Sequence, residues 1–302
     1  MDLVLNVADY YVLTPYVYPT SWPEDGALRQ IISLLVVTNL GAAVLYLSLG
    51  ALSYYFIFDH DLMKHPHFLE NQVRREIKYA LMSLPWINFP TVVLFSAKVR
   101  GYSKLYDSIS DSPLGWPGLF LSLTFYVFFT DMCFYCIHRI LHYKLMYKLF
   151  HKPHHMWKIP TPFASQAIHP VDAFLQGLPY HIYPLFFPLH KVLYLLLYVF
   201  ANIWAVSIHD GDYRIPRGLT AVISGSAHHA DHHLFFNYNY GQYFTLWDRL
   251  GGSYRHPSGL MGKGPHDLIR KLQAEGKLGG DEIKGKRQVN GHSWGEVTHK
   301  ED

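Results

Sequence analysis

The sequence contains few charged residues. Asp, Glu, Lys and Arg together make up 16% of the 302 residues, whereas 50% of the residues are hydrophobic. Soluble globular proteins carry roughly 25% charged residues, so this deficit indicates that lipid forms part of the solvent around the chain. The net charge of +3 is too small to indicate a nucleic-acid partner, and we expect none.

Cysteine is scarce too. The two cysteines of the chain, Cys133 and Cys136, lie three residues apart in one apolar stretch. This spacing argues against a structural disulfide between them and excludes the multi-disulfide framework of small secreted proteins. We interpret both residues as small apolar side chains that pack within a helix.

Several cofactor motifs are missing as well. The sequence contains no G-x-G-x-x-G segment, no H-E-x-x-H peptidase motif and no haem or flavin signature. A redox reaction carried out by this chain would therefore depend on reducing equivalents from another protein.

Four long apolar stretches are present, at 31–58, 79–97, 116–137 and 173–208. A membrane-spanning helix needs about 20 apolar residues, and the last stretch is long enough for two passes or one helical hairpin. The pattern predicts an all-α membrane protein with four to five transmembrane or hairpin helices. We divide it into an N-terminal lumenal segment (1–30), a membrane domain (31–260) and a polar C-terminal tail (261–302).

The connecting segments predict the orientation. Lys and Arg are concentrated in 59–78, in 138–160 and from 209 onward, and such segments stay in the cytosol by the positive-inside rule. An even number of crossings in 173–208 returns the chain to that side. One observation disagrees with this orientation, because it places the basic segment 98–104 in the lumen.

Histidine is abundant, and most of the 20 histidines fall in clusters. Three short segments place imidazoles three or four residues apart, which puts them on one face of a helix. The clustered histidines are His138 and His142, then His151, His154 and His155, and finally His228, His229, His232 and His233.

So many neighbouring imidazoles indicate metal ligands, because a metal ion takes up the lone pairs of neutral rings that would otherwise be poorly solvated. Eight or more exceed the four ligands of one tetrahedral zinc ion and suit two ions with open positions. Nitrogen ligands fit zinc, copper, iron or nickel, and we expect two redox-active iron ions. A non-catalytic zinc-binding or transport protein is the alternative from another class.

The three boxes H-x-x-x-H, H-x-x-H-H and H-x-x-H-H, spread over apolar helices, resemble those of the fatty acid hydroxylase / sterol desaturase superfamily. The surrounding segments 130–142, 208–211 and 228–252 are similar to the sterol 5-desaturase branch, and the likeness spans roughly residues 30–260. The resemblance implies a histidine-rich helical cap that holds a di-iron centre on the cytosolic face of the endoplasmic reticulum membrane. It further implies molecular oxygen, electrons from cytochrome b5 with its NADH-dependent reductase, and a 5,6 double bond formed in a 7-ene sterol.

The resemblance also implies which residues bind the metals. Tyr143 replaces a further histidine of some relatives and is no ligand here. His209 matches a position at which related enzymes supply ligands, His228 is a candidate, and His169 is either a ligand or a hydrogen-bonded neighbour. The ligands carried over from the family's boxes are His138, His142, His151, His154, His155, His229, His232 and His233.

Asp131 is the one acid in the stretch 116–137. A carboxylate within a membrane helix is costly and indicates a function, and we expect Asp131 to orient a ligand imidazole. The alternative is an acid bonded to backbone or water at the helix end. The metal site by itself does not separate a desaturase from a hydroxylase of fatty acyl chains or sterol methyl groups, because both reactions begin by removing a hydrogen.

Overall fold

The computed structural model describes residues 2–214, 216 and 218–278, and these residues are mostly helical. The predicted all-α class is confirmed. Most of the predicted polar tail lies outside the described residues. The α-helices, numbered in chain order, are α1 (Asp2–Ala8), α2 (Thr14–Tyr16), α3 (Ala27–Phe56), α4 (Gln72–Val99), α5 (Gly115–Leu141), α6 (Lys144–Met146), α7 (Pro170–Phe186), α8 (Lys191–Ser207), α9 (Ser226–Phe235), α10 (Leu246–Leu250) and α11 (Pro265–Ala274).

Shorter elements join these helices. The π-helical turns are Asp9–Leu13 and Tyr147–His151, and the 3-10 turns are His60–Lys64, Ile109–Asp111, Pro162–Gln166 and Ser258–Met261. The strands β1 (Leu105–Tyr106) and β2 (Leu189–His190) pair in parallel, with Leu105 opposite Leu189.

Three of the described helices are long and apolar enough to cross a membrane. They are α3, α4 and α5, with 30, 28 and 27 residues, so each exceeds the roughly 30 Å thickness of a hydrocarbon core at 1.5 Å per residue. Large apolar side chains such as Leu40, Val44 and Phe120 are more than half exposed on them, as expected where the surrounding solvent is lipid. The chain is therefore a membrane protein.

The apolar stretch 173–208 forms two helices, α7 and α8. The turn between them lies beside the segment after α4, where the Lys104 N–H donates to the Pro184 carbonyl at 2.7 Å and β1 pairs with β2. The hairpin thus runs from the histidine-rich end of the helical bundle to its opposite end and back.

Two contacts show which segments share an end of the bundle. At one end Arg100 donates to the Asp25 carbonyl at 3.2 Å. At the other end, His266 lies 3.3 Å from the Asp59 carboxylate. The histidine boxes lie at this second end. Lys98, which the orientation rule counted as a loop charge, is instead buried and donates to the Tyr194 hydroxyl at 2.6 Å.

Candidate metal centre

The first and third boxes lie on helices, as predicted. His138 occupies the last turn of α5, and His142 ends that helix, with its N–H bonded to the His138 carbonyl. The third box lies within α9, whose i, i+3 and i+4 positions share a face. Both helices point their histidines at a common interior.

The second box is not helical throughout, contrary to the prediction. Its π-helical turn ends at His151, and the following residues form tight turns in which the His154 N–H bonds the His151 carbonyl at 3.0 Å. Pro153 has no N–H to continue a helical ladder. The turn nevertheless brings His151, His154 and His155 to the centre.

The structure gathers nine of the predicted histidines into two groups, and within each group the candidate ligand nitrogens all lie within 4.8 Å of one another. All but His142 are buried. We call them group 1, made of His138, His142, His151, His155 and His232, and group 2, made of His154, His209, His229 and His233. His209 thus lies with histidines of the second and third boxes.

Hydrogen bonds fix the tautomers of several rings. The Nδ1 atoms of His138, His232 and His209 lie 2.9, 2.8 and 2.6 Å from the carbonyls of Tyr240, Tyr238 and Ala205. A carbonyl only accepts hydrogen bonds, so each Nδ1 carries the proton and each neutral ring keeps a lone pair on Nε2.

These lone pairs converge. The Nε2 atoms of His138 and His151 are 3.1 Å apart, and those of His209 and His229 are 3.0 Å apart. His151 directs its own Nδ1 at a carboxylate, the arrangement in which a neutral ring carries its proton on Nδ1 and its lone pair on Nε2. Two lone pairs at this distance repel, whereas a cation between them binds both.

The spacing also suits a metal ion. Imidazole nitrogens about 2.1 Å from one ion and at right angles to each other lie about 3.0 Å apart, close to the observed separations of 3.0–3.2 Å. The Nε2 atom of His232 is buried with no hydrogen-bond partner among the described residues. The residues present therefore fit a metal-binding site.

Burial keeps the rings in the form that binds metal. Desolvation lowers the pKa of His154, His155 and His229 well below the ordinary histidine value, and it lowers the pKa of His209 to about 4. Neighbouring imidazoles lower the pKa of the first three further. These four histidines are consequently neutral near pH 7, with lone pairs free for a metal.

Asp172 is a functional residue that the sequence analysis did not single out. Its Oδ2 lies 2.6 Å from His151 Nδ1, and its Oδ1 accepts from Gln176 at 2.5 Å. A carboxylate in this position orients a metal-ligating imidazole and increases its basicity. The run His169-Pro170-Val171-Asp172 carried a signal, because Pro170 predicts a helix start and therefore places an acid in its first turn.

Asp131 does not bond an imidazole. Its carboxylate accepts the N–H groups of Tyr243 at 2.7 Å and Phe244 at 3.3 Å, which corresponds to the alternative of an acid bonded to backbone. The segment that it holds includes Tyr240, whose carbonyl bonds His138. Asp131 therefore contacts the loop that supplies the Tyr240 carbonyl rather than a candidate ligand ring.

Two further candidates lie outside both groups. His228 is buried in the first turn of α9, where its Nδ1 accepts the Gly225 N–H at 3.4 Å. His169 precedes α7, and its Nδ1 accepts the Val171 N–H at 3.2 Å. Both rings thus accept backbone N–H groups at the starts of helices. The spacing of histidines in the sequence does not distinguish this role from metal binding.

A cavity reaches both groups from between the helices. It runs from Ala42 on α3 and Leu84 on α4 toward the histidines of both groups. Apolar side chains form much of its lining, and the histidines at its end are His138, His154, His209 and His229.

The fold and the two groups define a membrane protein with a histidine-built metal-binding site beside an internal cavity. Comparison with known proteins agrees. The fatty acid hydroxylase family matches residues 123–253. Lathosterol oxidase of Mus musculus is 62% identical over 96% of this chain and 98% of its own length. The human lathosterol oxidase is 60% identical over the same shares of both chains.

More distant relatives carry a related name. The Delta(7)-sterol 5(6)-desaturase of Leptosphaeria maculans is 48% identical over 82% of this chain and 69% of its own length. The chain belongs to the fatty acid hydroxylase (sterol desaturase) family. No solved structure matches it significantly.

Proposed function

We propose that this chain is a sterol desaturase that introduces the 5,6 double bond of a 7-ene sterol and so converts lathosterol to 7-dehydrocholesterol. The relatives named lathosterol oxidase and Delta(7)-sterol 5(6)-desaturase support this substrate and bond. The observation that carries the proposal is the placement of both histidine groups at the end of a cavity that begins between membrane helices. A flat apolar substrate enters such a cavity from the lipid.

The proposed cofactor is a pair of iron ions, one held by group 1 and one by group 2. Iron bound there would activate molecular oxygen, with external electrons, for removal of hydrogen from unactivated carbon. The chain's own residues orient four of the nine imidazoles, through Asp172 and the carbonyls of Tyr240, Tyr238 and Ala205. Phe134 and Tyr180, which line the cavity, limit how a rigid ring system lies against the histidines.

The electrons come in this proposal from cytochrome b5 and its NADH-dependent reductase at the endoplasmic reticulum. The lack of any flavin, haem or dinucleotide motif in the sequence supports an external donor. The basic residues in segments 59–78 and 138–160 place positive charge near the metal end, where an acidic donor protein docks.

Sterol analysis tests the proposed function directly. Cells that lack this chain should accumulate a sterol with the 7,8 double bond and without the 5,6 double bond, and restoring the chain should clear it. Mass spectrometry of the sterol fraction, with and without oxygen, measures this conversion. Unchanged sterols together with a loss of hydroxylated fatty acids would instead favour a hydroxylase.

A further inference from the structure

Gln242 carries a side-chain amide for which the structure shows no hydrogen bond to any described residue. The residue is only 6% exposed and lines the cavity. Its backbone is paired, since its carbonyl accepts from the Trp204 indole at 2.7 Å. An amide at a cavity wall that has no protein partner is free to bond a molecule in the cavity.

The backbone on both sides of Gln242 is held in place. Tyr240 donates its N–H to the Asp248 carboxylate at 2.9 Å, and Tyr243 donates its N–H to Asp131 at 2.7 Å. Both carboxylates are buried. The Gln242 amide is therefore presented to the cavity from a fixed position, as a specific hydrogen-bonding group requires.

This position is connected to the candidate metal site through the backbone. The Tyr240 carbonyl, two residues before Gln242, bonds His138 Nδ1 at 2.9 Å. His138 and Gln242 both line the cavity, as does His209 of group 2. A molecule that reaches the histidines through the cavity thus passes the Gln242 side chain.

The chemistry of a sterol requires a hydroxyl partner at such a position. In the steroid nucleus the hydroxyl-bearing carbon C3 and the reacting carbon C5 are both bonded to C4. When C5 and C6 face the metals, the hydroxyl is consequently close to the metals too. It cannot lie at the far end of the cavity.

Several other polar groups of the cavity are less suitable. The Tyr180 hydroxyl has no hydrogen-bond partner among the described residues, but Tyr180 lies eight residues along α7 from Asp172, about 12 Å farther from the metal end. His181 lies nine residues along α7 from Asp172, about 13 Å farther from the metal end, and it is already bonded to the Tyr194 hydroxyl at 3.0 Å. The Asn88 amide donates to Asn39 of α3 at 3.1 Å. Gln176 donates to Asp172.

We propose that the Gln242 amide hydrogen-bonds the 3-hydroxyl group of the sterol and thereby sets which ring edge faces the histidine groups. This inference rests on the proposed function and adds a substrate-positioning residue to it. Gln242 recognises the hydroxyl, while the apolar walls accept the ring system.

The test compares two substrates in one variant. Gln242→Met keeps the length of the side chain and removes its hydrogen-bonding atoms. We expect the Kd and KM of purified protein for a 3-hydroxy-7-ene sterol to rise about ten-fold, the size of one lost hydrogen bond, while the values for the 3-deoxy analogue stay unchanged. The exposed amide variant Gln273→Leu on α11 should match wild type with both sterols.

The outcomes separate this inference from the proposed function. If Gln242→Met weakens both sterols equally, or neither, then Gln242 does not bind the hydroxyl, although the enzyme remains a desaturase. If the wild type neither binds nor converts the 7-ene sterol, the proposed function fails and this inference fails with it. Should Gln242→Met fold poorly, Gln242→Leu provides the same comparison, because the 3-deoxy analogue controls for any general loss.

Discussion

His151 and Asp172 form a fully buried pair in which the imidazole Nδ1 lies 2.6 Å from a carboxylate oxygen. Asp172 comes from α7 and His151 from the π-helical turn of the second box. The pair turns the lone pair of His151 Nε2 toward His138 and His155, at 3.1 and 3.0 Å. Through this contact α7, one helix of the hairpin, positions the candidate metal ligand His151.

Replacing Asp172 by Asn should weaken metal binding. The amide keeps the size and one oxygen but loses the charge that increases the basicity of His151, and such changes cost about 10- to 100-fold in metal affinity. Metal retained by purified protein during dialysis against a graded series of chelator concentrations measures the effect. Asp107→Asn, an exposed acid paired with Lys191, serves as the matched control. Equal retention in the two variants would contradict a positioning role for Asp172.

Removing one ligand from each group should reveal two separate sites. We expect His142→Ala in group 1 and His154→Ala in group 2 each to lose about half of the bound metal and all desaturation. The protein should still insert, since membrane helices satisfy their own backbone without the metal. Elemental analysis of the purified variants gives the metal-to-protein ratio.

Two variants outside the groups provide controls for that experiment. His228→Ala and the exposed His256→Ala should retain the wild-type metal content, because neither ring belongs to a group. A His228→Ala protein that loses metal as His154→Ala does would instead assign His228 to the ligands.

The sequence predicted much of this arrangement because its histidine spacings and apolar lengths are local properties. The helical periodicity placed His229, His232 and His233 on one face of α9, and the structure brings His232 into group 1 and the other two into group 2. Contacts between residues that are far apart in the sequence do not follow from local spacing. Asp172 meets His151 across 21 residues and Asp131 meets Tyr243 across 112, so neither partner follows from spacing. Spacing alone also predicted a helix for the second box, whereas the missing N–H of Pro153 favours a turn.

Metal removal should destabilise the protein. Without a cation the Nε2 lone pairs of His138 and His151 face each other at 3.1 Å, and a ligand present at 100 times its Kd stabilises a folded state by about 2.7 kcal/mol. The Tm in detergent should therefore fall after chelation and recover when ferrous iron is added back. A Tm that is independent of chelation would show that the histidine groups are stable without metal.

Asp131→Asn should loosen the segment that follows the third box. The amide of the variant places an NH2 donor where one carboxylate oxygen accepted the N–H of Tyr243 or Phe244. Two donors cannot pair, and an unpaired buried group costs on the order of 1–3 kcal/mol. We expect a lower free energy of unfolding and a lower metal content, because the same segment supplies the Tyr240 carbonyl to His138. Lower stability with full metal content would separate Asp131 from the site. Asp107→Asn is again the control.

The orientation in the membrane gives the last prediction. The Arg100 contact with Asp25 and the Asp59 contact with His266 place the N-terminal segment and the histidine groups at opposite ends of the bundle. Because the basic segments 59–78 and 138–160 lie at the histidine end, the positive-inside rule places that end in the cytosol. In sealed microsomes, protease should then remove a tag placed after Asp302 and spare a tag placed before Met1 until detergent is added. A glycosylation site introduced at Ser110 in the opposite loop should be modified. If the tag after Asp302 is protected instead, the metal end faces the lumen, out of reach of a cytosolic electron donor.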